Sequence, residues 1–185
     1  MKKFEYNGEI YYLIKGKFVD ENFLEVPTGM QTQVENAFYN NVDYKTINED
    51  ALLDLIREIK KSEKYDLCII MCEYGLDKFK TKHEFIKNLL STYTSCLRLS
   101  KQYKQAILLG ESYLGYEIYH SAPLFISMAA AYCDEYEYGM GHESLLDVAQ
   151  NYNDRAKGMK GKGKEDSLEI RRLETRLQRL KPFDN

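Results

Sequence analysis

Hydrophobic and polar positions alternate residue by residue only at the start of the chain. In EIYYLIK, residues 9–15, Ile10, Tyr12 and Ile14 fall on one face while Tyr11 and Leu13 take the other, the period of a strand. Asn7-Gly8 ahead of it is a dipeptide suited to positive φ, and Lys15-Gly16 before Lys17-Phe18-Val19 offers a second tight turn. The first 26 residues therefore predict a meander of two or three strands, too small to stand without something to rest on. From Thr28 the period lengthens. Val34, Ala37 and Phe38, with Met30 in line, mark a short helical stripe broken by Asn40-Asn41. Thr46-Ile47-Asn48-Glu49 reads as a capping box for a helix that turns Leu52, Leu55, Ile56 and Ile59 inward and ends near Lys61-Ser62. Thr81-Lys82-His83-Glu84 reads as a second box. Ser121 with Pro123 opens a further helix, because proline is tolerated in a first turn. Between these lie KYDLCIIMCEYGL and QYKQAILLGESYL, both apolar and helical in period. The run GMKGKGK, residues 158–164, predicts a mobile loop. The last segment, EDSLEIRRLETRLQRL, sets Leu168, Leu173, Leu177 and Leu180 near one face.

Two of these segments repeat. With Tyr65 placed over Tyr103, Cys68 falls on Ala106, Ile69 on Ile107, Glu73 on Glu111 and Leu76 on Leu114, an offset of 38 residues. Each copy follows an amphipathic helix and a short polar turn. Repetition on this scale predicts stacked helical hairpins, each covering an apolar face that its neighbour cannot cover alone. The run Tyr65, Cys68, Ile69, Gly75, Leu76 and its second copy Tyr103, Ala106, Ile107, Tyr113, Leu114 resemble the tetratricopeptide repeat. A third, degenerate copy pairs the helix of residues 123–135 with the one holding Ala149 and Ala156, so the resemblance covers roughly residues 48–157. The period of 38 exceeds the usual value of about 34. The customary tryptophan and closing proline are missing, Tyr113 stands where a small residue is usual, and the third copy needs an insertion around EYEYGMGHE. The chain is thus similar to that family in a divergent form.

The expected architecture is all-α: tetratricopeptide-like α-hairpin repeats with an amino-terminal β-meander and a carboxyl-terminal capping helix. Its segments are residues 1–45 for the meander with a short helix, 46–157 for the hairpins, 158–164 for a basic loop and 165–185 for the capping helix. In HSAPLFISMAAAYCDEYEYG, residues 120–139, the alanines then serve close helix packing, with Tyr132 wedging the next layer.

Composition adds to this picture. A length of 185 residues with three prolines suits one helical domain with a real core. No apolar run approaches the roughly 20 residues of a membrane span, and MKKFEYNGEIYY lacks the features of a secretion signal. The four cysteines are accordingly expected reduced, in a cytoplasm. Net charge is −3, but residues 155–181 hold ten Lys or Arg against four Asp or Glu, a net +6, which leaves −9 elsewhere. A basic tail on an acidic body points to an anionic partner or to docking of the tail on its own body.

Candidate chemistry is sparse. Cys68 and Cys72 share a helical face at a spacing that suits two metal ligands, yet no second close Cys/His pair completes a tetrahedral set, and buried packing is the expectation. Cys133-Asp134 with His120 or His142 suggests a cysteine nucleophile only if a base lies within hydrogen-bond range, and a half-exposed structural cysteine is expected instead. His83 falls in a helix's first turn next to Glu84, and the recurrence of Glu73 and Glu111 at equal positions suggests a structural or surface role. No phosphate-binding glycine motif, HExxH or nucleophile elbow is present, so no catalysis, metal or cofactor is expected.

Binding is expected in two places. The resemblance implies a concave face lined by first helices, here Leu53, Arg57 and Lys60, then Ser91, Ser95 and Arg98, then Ile126, Ala130 and Asp134. Such a groove would hold a protein or peptide, with Arg57, Lys60 and Arg98 favouring an acidic one, as an adaptor or accessory subunit does. The alternative uses the basic segment, Lys157, Lys160, Lys162, Lys164, Arg171, Arg172, Arg176 and Arg179, to contact nucleic acid. No stacking platform of aromatics accompanies those lysines, and capping of the last hairpin with the arginines outward is their more ordinary role. The meander's open edge could add a partner strand, and self-association stays open.

Overall fold

The computed structural model describes residues 2–14, 17–41, 43–139 and 141–181. Among them the chain forms a three-stranded antiparallel sheet followed by eight α-helices. It divides into two units, Met1–Tyr74 and Gly75–Asn185, and the division falls inside a helix.

The first unit begins with β1 (Lys2–Tyr6), β2 (Glu9–Ile14) and β3 (Lys17–Asp20), in the order β1-β2-β3. Asn7 and Gly8 form the first turn with φ of 52° and 80°, the left-handed pair a two-residue hairpin needs. The Lys15-Gly16 turn expected from sequence lies outside the described residues. In register, Phe4 faces Tyr11 and Leu13 faces Phe18, so the 11/13 face of β2 turns inward. Against it lies α1 (Thr28–Asn41), which contributes fully buried Val34 and Phe38, while Met30 stays exposed. Phe4, Phe18 and Phe38 meet edge to face with centroids 5.1–5.8 Å apart, the geometry aromatic quadrupoles favour. This is the support the small meander requires.

Next come α2 (Glu49–Lys61) and α3 (Tyr65–Lys78). Helix α2 starts two residues later than a Thr46 cap would set it: Asn48 accepts from the Ala51 amide at 2.9 Å, while the Thr46 hydroxyl bonds back to the Asp43 carbonyl. Asn caps as well as Thr, and it sits next to the acidic first turn Glu49-Asp50. Leu52, Leu55, Ile56 and Ile59 are buried as the period predicted. Cys68 and Cys72 are both fully buried, Cys68 with its thiol 3.6 Å from the Ile56 carbonyl. Tyr74 donates to the Lys45 carbonyl at 2.9 Å and closes this unit's end.

The second unit holds α4 (His83–Leu99), α5 (Tyr103–Leu114), α6 (Ala122–Tyr138), α7 (Ser144–Gly158) and α8 (Lys164–Leu180). Helix α4 has Lys82 at its N-cap with no side-chain capping bond, so the Thr81 box is not formed. His83 instead meets the Tyr119 hydroxyl at 3.1 Å. Ser121 does cap α6, accepting from the Leu124 amide at 3.3 Å with proline in the first turn. Helix α6 packs against α4, α5, α7 and α8, and every residue from Met128 to Glu135 is buried. Small residues permit this. Ala129 and Ala131 are fully buried, and Gly110 of α5 lies so close to Met128 that an added Cβ would stand 2.0 Å from its sulfur. Helix α8 turns Ile170, Leu173 and Leu177 inward at i, i+3 and i+7. Leu168, expected on that face, is 49% exposed; Ile170 holds its place.

The 38-residue offset extends to the backbone. Both α2 and α4 end on a serine cap, Ser62 and Ser100, followed by a non-glycine residue in the left-handed region, Glu63 (φ 60°) and Lys101 (φ 65°). The amide of each bonds three residues back, to Lys60 and Arg98, at 3.0 Å. In the helices that follow, Cys68 and Ala106 are both fully buried, while Ile70 and Leu108 are both exposed.

Candidate functional site

The last two turns of α6, Cys133 to Gly139, gather the charged groups of the second unit. Ala130, Asp134 and Glu137 recur at i, i+4 and i+7 on one stripe. Asp134, only 6% exposed, accepts from Arg98 of α4 at 2.9 Å and from Arg176 of α8 at 2.6 Å. The Arg176 guanidinium also reaches Glu137, through its Nε at 2.8 Å and its Nη2, and Arg179 meets the same carboxylate at 3.4 Å. Burial works against the Arg176 charge, and the bonds to Glu137 and Asp134 more than restore it. A buried acid with two arginine forks is satisfied, whereas removal of either partner would leave charge uncompensated.

Beside this cluster opens a groove of about 750 Å³ between the start of α5 and the end of α6, lined by Lys101, Tyr103, Lys104, Gln105, Glu135, Tyr138 and Gly139. The Tyr103 and Tyr138 rings lie 6.2 Å apart. Glu135 is 7% exposed and faces Lys104 at 3.8 Å. Its carboxylate lies on the Gly139 backbone, where a Cβ would come within 2.3 Å of it. Burial, then the Asp134 charge, raises the Tyr103 hydroxyl above its ordinary range.

On the opposite side of α6, Glu111 of α5 accepts two phenol protons through one oxygen, from Tyr132 at 2.7 Å and Tyr152 at 2.6 Å. The two rings stack at 5.8 Å, and Arg155 covers Phe125 at 4.3 Å. Burial first, then the bond to Glu111, pushes both phenols far up. Glu111 thus joins α5, α6 and α7.

Cys133 is fully buried, not half-exposed, because α6 has neighbours all round; burial pushes its thiol up to about 11. His120 bonds to the Leu114 carbonyl at 2.9 Å and His142 to the Ser144 amide at 3.3 Å. Among the described residues no three His, Cys, Asp or Glu side chains gather as a metal site requires, and no helix is long and apolar enough to cross a membrane.

The candidate groove residues separate. In the first unit Leu53 is buried, Arg57 pairs with Asp54 at 3.3 Å, and Lys60 is half-buried. In the second unit α4 and α6 bring the others together: Ser127 donates to the Ser91 carbonyl at 3.2 Å, and Arg98 meets Asp134. Ser91, Ser95 and Ile126 are half-buried and Ala130 is buried. The charge of Arg98 is answered by Asp134 inside the unit.

Part of the basic segment meets its own body. Lys157 pairs with Glu174 at 2.7 Å, Arg172 with Glu169, and Arg176 and Arg179 with α6. Arg176 is therefore directed inward, contrary to the outward placement expected for the arginines. Lys162 donates to the Lys157 and Met159 carbonyls, and Lys160, Lys164 and Arg171 are exposed. Sequence reasoning missed Glu137. Its signal was present: Asp134 and Glu137 are three apart, and so are Arg176 and Arg179.

No protein-family model, curated protein or solved structure matches this chain.

Proposed function

We propose that the protein is a non-catalytic docking module, an adaptor or accessory subunit that holds a protein partner on the α4–α6 face of its second unit. The observation that carries this reading is the face that α4 and α6 share, where Ser91, Ser95 and Ile126 stay part-exposed beside the Ser127–Ser91 and Arg98–Asp134 bonds that fix the two helices together. Small side chains on such a face admit a partner helix closely. The hairpins are read as tetratricopeptide-like; the left-handed turn residues at Glu63 and Lys101 and the matched burial of Cys68 and Ala106 support a structural repeat. The nucleic-acid alternative rests on a segment whose Lys157, Arg172, Arg176 and Arg179 are engaged in ion pairs, so it draws less support.

Site-specific photo-crosslinking tests the reading. A photoreactive residue at Ser95 or at Tyr138, which is 68% exposed, should give one discrete higher-mass adduct in the source cell, while the same group at Leu168 gives none. An adduct at none of the three, or the same adduct at all of them, would overturn it.

A further inference from the structure

We infer that α8 stands in for the partner: the face of α6 and α7 beneath it is a docking site for a basic amphipathic helix, which binds when α8 leaves. This rests on the protein-docking reading above and names the partner's chemistry. The face itself specifies the occupant. It presents apolar contacts to Ile170, Leu173 and Leu177, and two acids, Asp134 and Glu137, to arginines placed three residues apart. Asn153, fully buried on α7, reaches the Ile170 carbonyl at 3.4 Å and has its own side-chain oxygen unpartnered in that interface. Lys181 and Asp147 add a pair at 3.8 Å. An acidic partner, expected from Arg57, Lys60 and Arg98 together, does not suit this face, because Arg98 is already matched by Asp134.

Helix α8 hangs on a glycine-rich tether, and apart from the half-buried Arg176 anchor its charged contacts to the unit lie at the rim. Residues 159–163 connect it to α7, with Gly161 and Gly163 inside the connection and Gly158 just before it, and Gly161 has φ of 77°. The pairs Lys157–Glu174, Arg179–Glu137 and Lys181–Asp147 each have at least one largely exposed member, so salt weakens them. While α8 is docked, a competing helix finds the site only in the fraction of molecules that have released it, and its apparent affinity falls by that fraction.

The probe is a fluorescein-labelled peptide of residues 164–181, titrated by anisotropy against the full chain. Wild-type protein should bind it weakly. The full-length variant Leu173→Asp/Leu177→Asp, whose own α8 no longer seats, should bind it at least about tenfold more tightly. The same peptide carrying Arg176→Glu and Arg179→Glu should not bind, and raising salt should weaken the unaltered peptide. The variant Arg176→Glu/Arg179→Glu releases α8 through its charges alone and replaces the first if circular dichroism shows that one unfolded. Equal affinity for wild type and the folded release variant, or equal binding of the charge-reversed peptide, overturns the inference. So does a release variant that dimerises by light scattering and rejects the peptide, since the face would then serve only a second copy's α8. Crosslinks at Ser95 and Tyr138 that persist while the peptide fails would sink this inference and leave the docking reading standing.

Discussion

The shared oxygen of Glu111 makes a measurable demand on stability at high pH. In the unfolded chain Tyr132 and Tyr152 ionise near their ordinary value of about 10. In the folded chain burial and the bond to Glu111 raise both well above it. A group whose folded value is raised contributes stability that is intact below its unfolded value and is lost as pH climbs past it. By pH 11 each tyrosine costs about 1.4 kcal/mol through ionisation of the unfolded chain, about 2.8 kcal/mol for the pair. Replacement by Tyr132→Phe/Tyr152→Phe removes this term together with two hydrogen bonds. Because Glu111 is exposed, those bonds are worth only about 1 kcal/mol each. Wild type should therefore be about 2 kcal/mol more stable near pH 8, and the phenylalanine variant should overtake it between pH 10 and 11. Urea unfolding followed by circular dichroism at 222 nm, stepped from pH 8 to 11, measures the crossing; lysine titration is common to both proteins and cancels. Two stability curves that stay parallel across this window would refute the shared-carboxylate geometry.

Other outcomes follow from single contacts. Gly110→Ala gains about 1 kcal/mol of helix propensity but drives a methyl into Met128, for a net loss of about 1 kcal/mol by urea unfolding; in a Met128→Ala background the same change should turn stabilising. Glu63→Gly relieves a left-handed non-glycine residue and should stabilise by about 0.5–1 kcal/mol, seen as a higher denaturation midpoint at unchanged slope. A thiol pushed up to about 11 and sealed inside α6 should not react with Ellman's reagent at pH 8 until urea is added, and stoichiometric labelling of folded Cys133 would contradict its burial.

What the sequence disclosed was whatever depends on local period. The Asn7-Gly8 turn, the inward side chains of α2 and the cap at Ser121 are set within a few residues, and each was readable. Cap choice between neighbours was not: Thr46 and Asn48 are both competent, and the turn at Asp43 drew the threonine away. The site was legible only in part. The resemblance implied Arg98 and Asp134 on one common face, but which charges answer each other depends on contacts 36 and 42 residues apart. Leu168 failed for a similar reason. Its helix offers two plausible apolar stripes, and only the position of α6 and α7 selects the one through Ile170.

Helix α6 works as an axle, and an axle limits growth. With α4, α5, α7 and α8 packed against it and every residue from Met128 to Glu135 buried, an enlarged side chain in this stretch meets several helices at once. Tolerance for change in the second unit is therefore expected first at its ends, in the connection after Gly139 or in the helix that the glycine-rich tether carries.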